Sequence, residues 1–273
     1  MVSAVSTVAA AGKPVIIAQI SDLHVMTAGR RNRHGVDAAV GLRRCVEHLS
    51  ALDVAPDLVV ASGDLVDDGR PEEYLRLREM LGRLTVPVCL MPGNHDRRAP
   101  LRQAFADHTY LGGGGRIHYH RDVRGLRLIA LDSVIEGEQG GDFDDAQLQW
   151  LDALLQDAPD RPALVFMHHP PVPTGFSRMD TIAVGVDSAA RLGKVVARHP
   201  QVRAVLCGHV HRNVQTAWHG TLVSVCPSTA FQARLILGPG KFEASLDEAP
   251  AYQLHYWDGR NLATHTVTTS PAG

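Results

Sequence analysis

Short apolar runs recur along the chain, separated by longer stretches in which apolar residues return at helical spacing. Most of the short runs are almost continuously apolar, which is typical of strands covered by other elements on both faces. The pattern predicts seven such strands, over residues 14–20, 57–62, 86–91, 126–131, 163–167, 203–207 and 221–225.

The stretches between these strands predict helices. In the first, apolar residues recur at helical spacing, so that one stripe faces a core. The third opens with Asp144 and Gln147 at the spacing of a capping box. Because strands and helices alternate, the pattern favours crossover connections and a largely parallel sheet. The predicted helices cover residues 36–52, a segment beginning near Pro71, residues 144–156 and residues 188–199.

The last part of the chain follows a different pattern. Residues 251–267 predict two strands joined by an Asp-Gly turn at Asp258. Between 229 and 250 no period is sustained, which predicts a loop-rich insertion near the active site or a subunit contact. We therefore expect a single domain over residues 1–273, with the insertion and the hairpin at about 229–268.

Composition places the chain among ordinary soluble globular proteins, with 45% hydrophobic residues, 21% charged residues and a formal net charge of −2. A nucleic-acid-binding protein usually carries a basic excess, and the cluster Arg30, Arg31 and Arg33 is too short to supply one. We interpret this cluster as a solvated loop. No apolar run is long enough to cross a bilayer. We expect a protein that binds neither nucleic acid polymers nor membranes.

The cysteines and the first residues predict a cytoplasmic protein. The four cysteines form no C-x-x-C pair, and their surroundings indicate small buried residues rather than a metal or disulfide framework. The opening segment MVSAVSTVAAAG has no basic residue before its apolar part, so we expect no cleaved signal peptide.

Polar side chains of metal-binding types follow five of the predicted strands, at the point where each strand ends. Taken singly, each has an ordinary structural role, since Asp and Asn often serve turns. If all of them had only such roles, five unrelated polar groups would have to occur by chance at the same end of five strands. Because the carboxyl ends of parallel strands share one edge of a sheet, we expect these side chains to converge. They are Asp22, His24, Asp64, Asn94, His168, His209 and His211.

The residue types define the kind of site. Carboxylate, amide and imidazole ligands without a thiolate suit Mn, Fe, Zn or Co rather than a structural thiolate zinc site. Two metal ions about 3.5–4 Å apart need a shared carboxylate and about three further ligands each, which seven ligands can supply. In the D-x-H and H-x-H segments, residues two apart point to the same side. The neighbouring glycines would allow the backbone to approach the ions.

The motif order D-x-H, GD, GNHD, H and GHxH resembles that of the calcineurin-like binuclear metallophosphoesterases over nearly the whole chain. The segments GDLVDDGRPEEY, MPGNHD and FMHHPPVPTGFSRMD are similar to the bacterial branch that contains glycerophosphodiesterase and the class III cyclic-nucleotide phosphodiesterases. The resemblance implies an α/β fold, a four-layer α-β-β-α sandwich of two mixed sheets flanked by helices. It also implies a homo-oligomer, either a dimer or a multiple of dimers.

The resemblance further implies how the ligands divide between two divalent transition-metal ions. By position, His168 matches the family ligand, and the adjacent His169 is interpreted as a neighbour that does not bind metal. Asp64 would bridge the two ions. One ion would take Asp22, His24, Asp64 and His211, and the other would take Asp64, Asn94, His168 and His209.

These residues predict the hydrolysis of small phosphodiesters, either glycerophosphodiesters or 3',5'-cyclic nucleotides, by a hydroxide shared between the ions. By resemblance, His95 would protonate the leaving alkoxide, and Asp96 would orient the His95 ring. The loop 171–180 and the segment 229–250 would select the substrate. In the first of these, Arg178 is either a substrate contact or a solvated arginine.

Other functions stay open. Phosphomonoesterases, phosphoprotein phosphatases and nucleases occur in the wider family, but the branch resemblance disfavours the phosphatases and the lack of a basic stripe disfavours a nuclease. A noncatalytic metal-binding scaffold would be expected to have lost ligands. All seven candidate ligands are present, together with His95.

Overall fold

The computed structural model describes residues 12–269, which form thirteen strands and six α-helices. The predictions made for residues 1–11 and 270–273 lie outside the described residues. The strands are β1 (Val15–Ile20), β2 (Leu58–Ser62), β3 (Val88–Met91), β4 (Tyr119–Val123), β5 (Leu126–Leu131), β6 (Ala163–Met167), β7 (Val202–Cys207), β8 (Val214–Trp218), β9 (Thr221–Val225), β10 (Gln232–Ala233), β11 (Ala244–Ser245), β12 (Ala251–Trp257) and β13 (Leu262–Thr268). The helices are α1 (Ala38–Ser50), α2 (Pro71–Leu81), α3 (Arg98–Ala104), α4 (Asp145–Gln156), α5 (Ser177–Asp180) and α6 (Val186–Arg198).

Five strands form a first mixed sheet in the order β13-β12-β1-β2-β3. Strands β1, β2 and β3 are parallel, whereas β12 pairs antiparallel with β1 and β13 with β12. The C-terminal hairpin lies where the sequence predicts it. Its turn is stabilised by the Asp258 carboxylate, which accepts hydrogen bonds from the backbone N–H of Arg260 at 2.7 Å and Asn261 at 2.6 Å.

Six strands form a second mixed sheet in the order β4-β5-β6-β7-β9-β8. Strands β5, β6, β7 and β9 are parallel, and the edge strands β4 and β8 are antiparallel to their neighbours. The parallel pairing expected from the alternation of elements is present in both sheets, while their remaining pairs are antiparallel, as the two mixed sheets implied by the resemblance require. Periodicity did not reveal β4 and β8, since all of their residues are exposed or only partly buried.

The two sheets pack face to face between two layers of helices. Ile17 and Val60 of the first sheet share one buried cluster with Val165 and Val205 of the second. A second cluster joins the outer face of the first sheet to α1 and α2, while α4 and α6 contribute to the cluster of the second sheet. The α-β-β-α sandwich implied by the sequence resemblance is confirmed.

The four predicted helices correspond to α1, α2, α4 and α6. At the start of α4, the Asp144 side chain accepts a hydrogen bond from the backbone N–H of Gln147 at 2.8 Å, as the capping pattern predicts. Two short helices, α3 and α5, were not predicted, because seven and four residues are too few to show a helical period.

The sequence predicts that no segment crosses a bilayer and that the cysteines are buried. Within residues 12–269, every helix falls short of the length and apolarity needed to cross a bilayer. The four cysteines are buried with free thiols, as the sequence predicts; they are Cys45, Cys89, Cys207 and Cys226.

Candidate metal centre

The candidate ligands lie at one edge of the sandwich, where β1, β2 and β3 of the first sheet and β6 and β7 of the second sheet end. All seven follow the ends of these strands, so the convergence expected from the sequence is present. Among the described residues, seven non-glycine residues have positive φ, and five of them belong to this set. Such backbone strain is concentrated at functional sites. The five are Asp22 (52°), His24 (44°), Asp64 (47°), His209 (73°) and His211 (54°).

Two glycines allow the turns to come together. A Cβ on Gly93 would lie 2.2 Å from the backbone nitrogen of Asp64 and 2.8 Å from Nε2 of His168. Gly63 has a φ of +99°, and a Cβ there would lie 2.4 Å from Nδ1 of His168. A side chain at either position would therefore displace the turns that carry the candidate ligands.

Three of the imidazoles are held by their Nδ1 atoms. His24 Nδ1 lies 2.9 Å from a carboxylate oxygen of Asp67, and His168 Nδ1 lies 2.9 Å from the carbonyl oxygen of Ser62. His211 Nδ1 lies 2.9 Å from the carbonyl oxygen of Phe231. Because these partners only accept hydrogen bonds, each Nδ1 carries the proton. In a neutral ring, Nε2 then presents a lone pair to the centre of the cluster.

The first half of the cluster gathers acceptor atoms around a common point. His24 Nε2 and His211 Nε2 are 3.0 Å apart. An Asp22 carboxylate oxygen lies 3.4 Å from His211 Nε2, and Asp64 Oδ2 lies 3.7 Å from His24 Nε2. When both rings are neutral with the proton on Nδ1, these four residues direct lone pairs at one another and no N–H lies between them.

The second half of the cluster lies on the other side of Asp64. Asp64 Oδ1 lies 3.3 Å from His168 Nε2. The Asn94 Oδ1 atom lies 3.2 Å from the same nitrogen and 3.0 Å from His209 Nδ1. The two carboxylate oxygens of Asp64 thus face different halves of the cluster, the geometry that a bridging ligand needs.

Burial and mutual contact shift the pKa values of this cluster. Burial raises the pKa of Asp22 to about 6. Burial would also raise the pKa of Asp64, but the His168 imidazole holds it well below its usual range. Burial would lower the pKa of His168, and Asp64 instead raises it to about 9. Burial keeps the pKa values of His209 and His211 well below normal, so both rings are neutral near pH 7.

The donor set fits divalent cations. Imidazole nitrogens, carboxylate oxygens and an amide oxygen converge. Five of the seven side chains line a cavity of about 540 Å³; they are His24, Asp64, Asn94, His209 and His211. Acceptor atoms this close repel one another unless a proton or a metal cation lies between them. The part of the chain that the structure describes therefore contains His/Asp clusters able to bind metal ions.

His95 lies beside the cluster with one ring nitrogen held. Its Nδ1 lies 2.6 Å from the carbonyl oxygen of Asp67, and its backbone N–H donates to Asp64 Oδ1 at 2.9 Å. The side chain is 36% exposed and lines the cavity. Since Nδ1 donates to a carbonyl, Nε2 is the nitrogen available to a molecule in the cavity.

Asp96 does not orient the His95 ring, and this expectation is corrected. The fully buried Asp96 carboxylate accepts hydrogen bonds from the backbone N–H groups of Leu65 at 3.0 Å and Gly93 at 2.8 Å, and from the Tyr74 hydroxyl at 2.9 Å. It therefore holds the turn that carries Asp64 against the turn that carries Asn94. The backbone carbonyl group of Asp67 holds the His95 ring instead.

His169 lies beside the cluster, with a ring nitrogen within 4.8 Å of the ligand atoms of His168 and His209, but both of its ring nitrogens have other hydrogen-bond partners. Nδ1 accepts a hydrogen bond from the Ser133 hydroxyl at 2.8 Å, and Nε2 donates to the carbonyl oxygen of Gln139 at 3.0 Å. Burial lowers its pKa to about 3. This geometry supports the interpretation that His169 is a neighbour of the candidate ligands.

Sequence reasoning missed the residues that hold the imidazoles. Asp67 belongs to the quoted segment GDLVDDG, and its carboxylate could have been recognised as a partner for a ligand histidine. The carbonyl groups of Ser62 and Phe231 carry no side-chain signal. Their roles depend only on where the backbone passes, which spacing does not reveal.

A family model and relatives of two kinds match this chain, and the names of all of them describe phosphoesterases. The family model described as calcineurin-like phosphoesterase matches residues 16–213. The chain is 34% identical, over 92% of both chains, to a probable glycerophosphodiester phosphodiesterase GpdQ of Arcobacter nitrofigilis. It is 32% identical to the 3',5'-cyclic adenosine monophosphate phosphodiesterase CpdA of Pseudomonas aeruginosa, over 92% of this chain and 88% of that protein.

A solved structure shares the fold. The crystal structure of a dimetal phosphatase from Danio rerio superposes with a TM-score of 0.70 at 20% identity, covering 94% of this chain and all of that one. Residues 16–213, which match the family model, contain each of the motifs whose side chains converge at the edge of the sandwich. The protein therefore belongs to the calcineurin-like phosphoesterase family.

Proposed function

We propose that this protein hydrolyses small phosphodiesters at a centre of two divalent transition-metal ions. The observation that carries the proposal is the pairing of anchored imidazoles with carboxylates on both sides of Asp64, at the floor of an open cavity. A noncatalytic scaffold would not need His95 beside a cavity large enough for an organic phosphate.

The ligands divide at Asp64. Its Oδ2 faces His24 and its Oδ1 faces His168, so a single carboxylate reaches both halves. We assign Asp22, His24, Asp64 and His211 to one ion, and Asp64, Asn94, His168 and His209 to the other. When bound, two such ions supply Lewis acidity and an activated water-derived nucleophile near neutral pH.

His95 supplies the proton that the leaving group needs. An alkoxide departs poorly as an anion, and a positioned acid typically contributes about 10²–10⁴-fold to the rate. The carbonyl of Asp67 fixes the Nδ1–H of His95, so the imidazolium form of the ring would donate its Nε2 proton to the leaving oxygen and become the neutral Nδ1–H ring. Asp96 acts indirectly, because it holds the backbone of the two turns on either side of His95.

Two classes of small phosphodiester are the substrates to test. One relative is named for glycerophosphodiesters and another for 3',5'-cyclic adenosine monophosphate, and each aligns over 92% of this chain. Both classes present one phosphate with two ester bonds, which matches a centre that needs a separate acid for the leaving alcohol.

The test combines activity with metal content. Purified protein should hydrolyse bis(p-nitrophenyl) phosphate, and it should hydrolyse glycerophosphocholine or 3',5'-cyclic AMP faster than p-nitrophenyl phosphate. A chelator should abolish turnover, and Mn, Fe, Zn or Co should restore it at about two ions per chain. Turnover that persists after complete metal removal would refute the proposal, as would a metal-loaded protein that cleaves only the monoester.

A further inference from the structure

Arginines line the rim of the cavity above the candidate metal centre. Arg30, Arg31 and Arg33 come from the loop after β1, and Arg178 comes from α5 on a separate segment of the chain. The first three were interpreted from sequence as a solvated loop. They are exposed, but they border the same cavity as the candidate ligands.

Three of these guanidinium groups have only neutral partners. Arg31 donates to the carbonyl oxygen of Gly35 at 2.8 Å, Arg33 donates to a ring nitrogen of His34 at 3.1 Å, and Arg178 donates to the Gln139 side chain at 2.8 Å. Within residues 12–269, none of the three lies within 4.0 Å of a carboxylate oxygen. These three guanidinium groups therefore line the cavity with no direct carboxylate partner among the described residues.

The two carboxylates of the rim are already engaged. Asp67 receives the hydrogen bond of His24 at 2.9 Å. Asp68 lies 3.5 Å from Arg30 and 3.3 Å from Arg70. The chain as a whole has a net charge of −2, so the positive rim is a local feature of this cavity rather than a consequence of composition.

Aromatic rings also line this cavity, and one of them packs against the candidate ligand His211. The rings of Phe231 and Phe242 have centroids 6.3 Å apart, and the His34 ring lies 5.2 Å from the first and 5.6 Å from the second. Phe231 also lies 4.5 Å from the ring of His211. A phosphate at the centre would therefore place the carbon skeleton of its alcohol against these rings, with any further charged group near the arginines.

We propose that the preferred substrates are phosphodiesters whose alcohol carries a second anionic group, recognised by Arg31, Arg33 and Arg178. This inference rests on the proposed function, because it places the scissile phosphate at the metal centre. A phosphodiester with a purely cationic head group, such as glycerophosphocholine, would still be hydrolysed at the metal centre but would bind more weakly, since like charges at the rim repel.

Two ligands that differ by a single carboxylate test this inference. Glycerophosphoserine has the glycerophosphoethanolamine skeleton plus a carboxylate, and each is measured as an inhibitor of bis(p-nitrophenyl) phosphate hydrolysis by the metal-loaded protein. We expect the inhibition constant of glycerophosphoserine to be about fivefold lower, the effect of one well-placed exposed charge pair. Raising the salt from about 0.05 M to about 0.5 M should reduce this ratio toward one.

Charge-removing variants locate the effect. Arg33→Gln and Arg178→Gln should each reduce the ratio to about twofold, while Arg44→Gln, an exposed arginine on α1 outside the cavity, should leave it unchanged. Equal inhibition by the two ligands, or a ratio that responds equally to all three variants, would overturn the inference. Failure to hydrolyse bis(p-nitrophenyl) phosphate at all would instead overturn the proposed function.

Discussion

Gln19 offers a sharp test of how the metal centre is held together. Its fully buried side-chain amide donates to the Ser62 hydroxyl at 2.9 Å and to the carbonyl oxygen of Cys207 at 3.0 Å. These residues end β2 and β7 and immediately precede the turns that carry Asp64 and His209. One amide on β1 thus links ligand-bearing turns of both sheets, and we predict that Gln19→Met weakens metal binding.

The structure gives the size of the effect on stability. Methionine has a similar shape but makes none of these hydrogen bonds. The Gln19 side-chain oxygen accepts from His255 Nε2 at 3.0 Å, and this buried donor would be left without a partner. An orphaned buried donor costs about 1–3 kcal/mol and each of the two other lost hydrogen bonds about 1 kcal/mol, so we expect a loss of roughly 3–5 kcal/mol.

Gln253→Met is the matched control. Gln253 is the direct cross-strand partner of Gln19 on β12 and is also fully buried. Its side chain donates to Asn213 at 3.2 Å and to the carbonyl oxygen of Val225 at 3.4 Å, and neither contact touches the residue before a ligand turn. This variant should be destabilised by a similar mechanism while its metal affinity changes little.

The assay measures folding and metal affinity separately. Urea denaturation of metal-free protein gives the loss in unfolding free energy for each variant. Competition with a metal-binding dye, at a temperature where both variants stay folded, gives the affinities. We expect Gln19→Met to bind about 10- to 100-fold more weakly, the usual effect of losing support behind the ligands. Affinities that are equal for the two folded variants would refute the reasoning.

Three further predictions concern single residues. Asp64→Ala should empty both metal positions, measured as metal content per chain, since its oxygens face both halves; retention of one full ion would contradict the bridge. His95→Ala should keep its metals but lose about 100-fold or more on substrates with poor leaving groups and far less on bis(p-nitrophenyl) phosphate; equal losses would exclude its role as an acid. Burial lowers the pKa of His255 to about 3, below its unfolded value of about 6.5, so its neutral form contributes stability above about pH 6.5 that is lost as the pH falls toward 3. Below pH 6.5, His255→Gln should therefore reduce the slope of unfolding free energy against pH by up to about 1.4 kcal/mol per pH unit, measured by urea denaturation at several pH values. An unchanged slope would show that His255 does not titrate in this way.

Sequence periodicity predicted the buried strands and the long helices but not how the strands divide between sheets. Strands β1 and β6 have the same almost continuously apolar character, yet they belong to different sheets. Strand periodicity reports only whether each face is covered, not which element covers it. The two-sheet sandwich came from the order of the motifs, through the family resemblance, and not from hydrophobic pattern.

The candidate ligands were predictable because their side chains carry the chemistry, and their supports were not. Asp64 and His211 are recognisable from spacing, whereas the carbonyl that holds His211 belongs to Phe231, twenty residues away. Gln19 lies within a predicted strand and looks like an ordinary polar interruption. Its role becomes visible only when β2 and β7 lie on either side of its amide.

The turns of the metal centre are stabilised by one another. The backbone N–H of Asp22 donates to the carbonyl oxygen of Gly63 at 3.0 Å, and that of His24 donates to Asp64 at 2.9 Å. In the second sheet, the N–H of Gly208 donates to His168 at 2.9 Å. These bonds extend the sheet pairing beyond the strands, and they fix the left-handed residues Asp22, His24 and Asp64 against a neighbouring turn. A left-handed conformation costs a non-glycine residue about 1–2 kcal/mol, and five of them could not persist in isolated loops. The strain is therefore tolerated because the ligands lie where parallel strands end together, which is also why residues distant in sequence form one site.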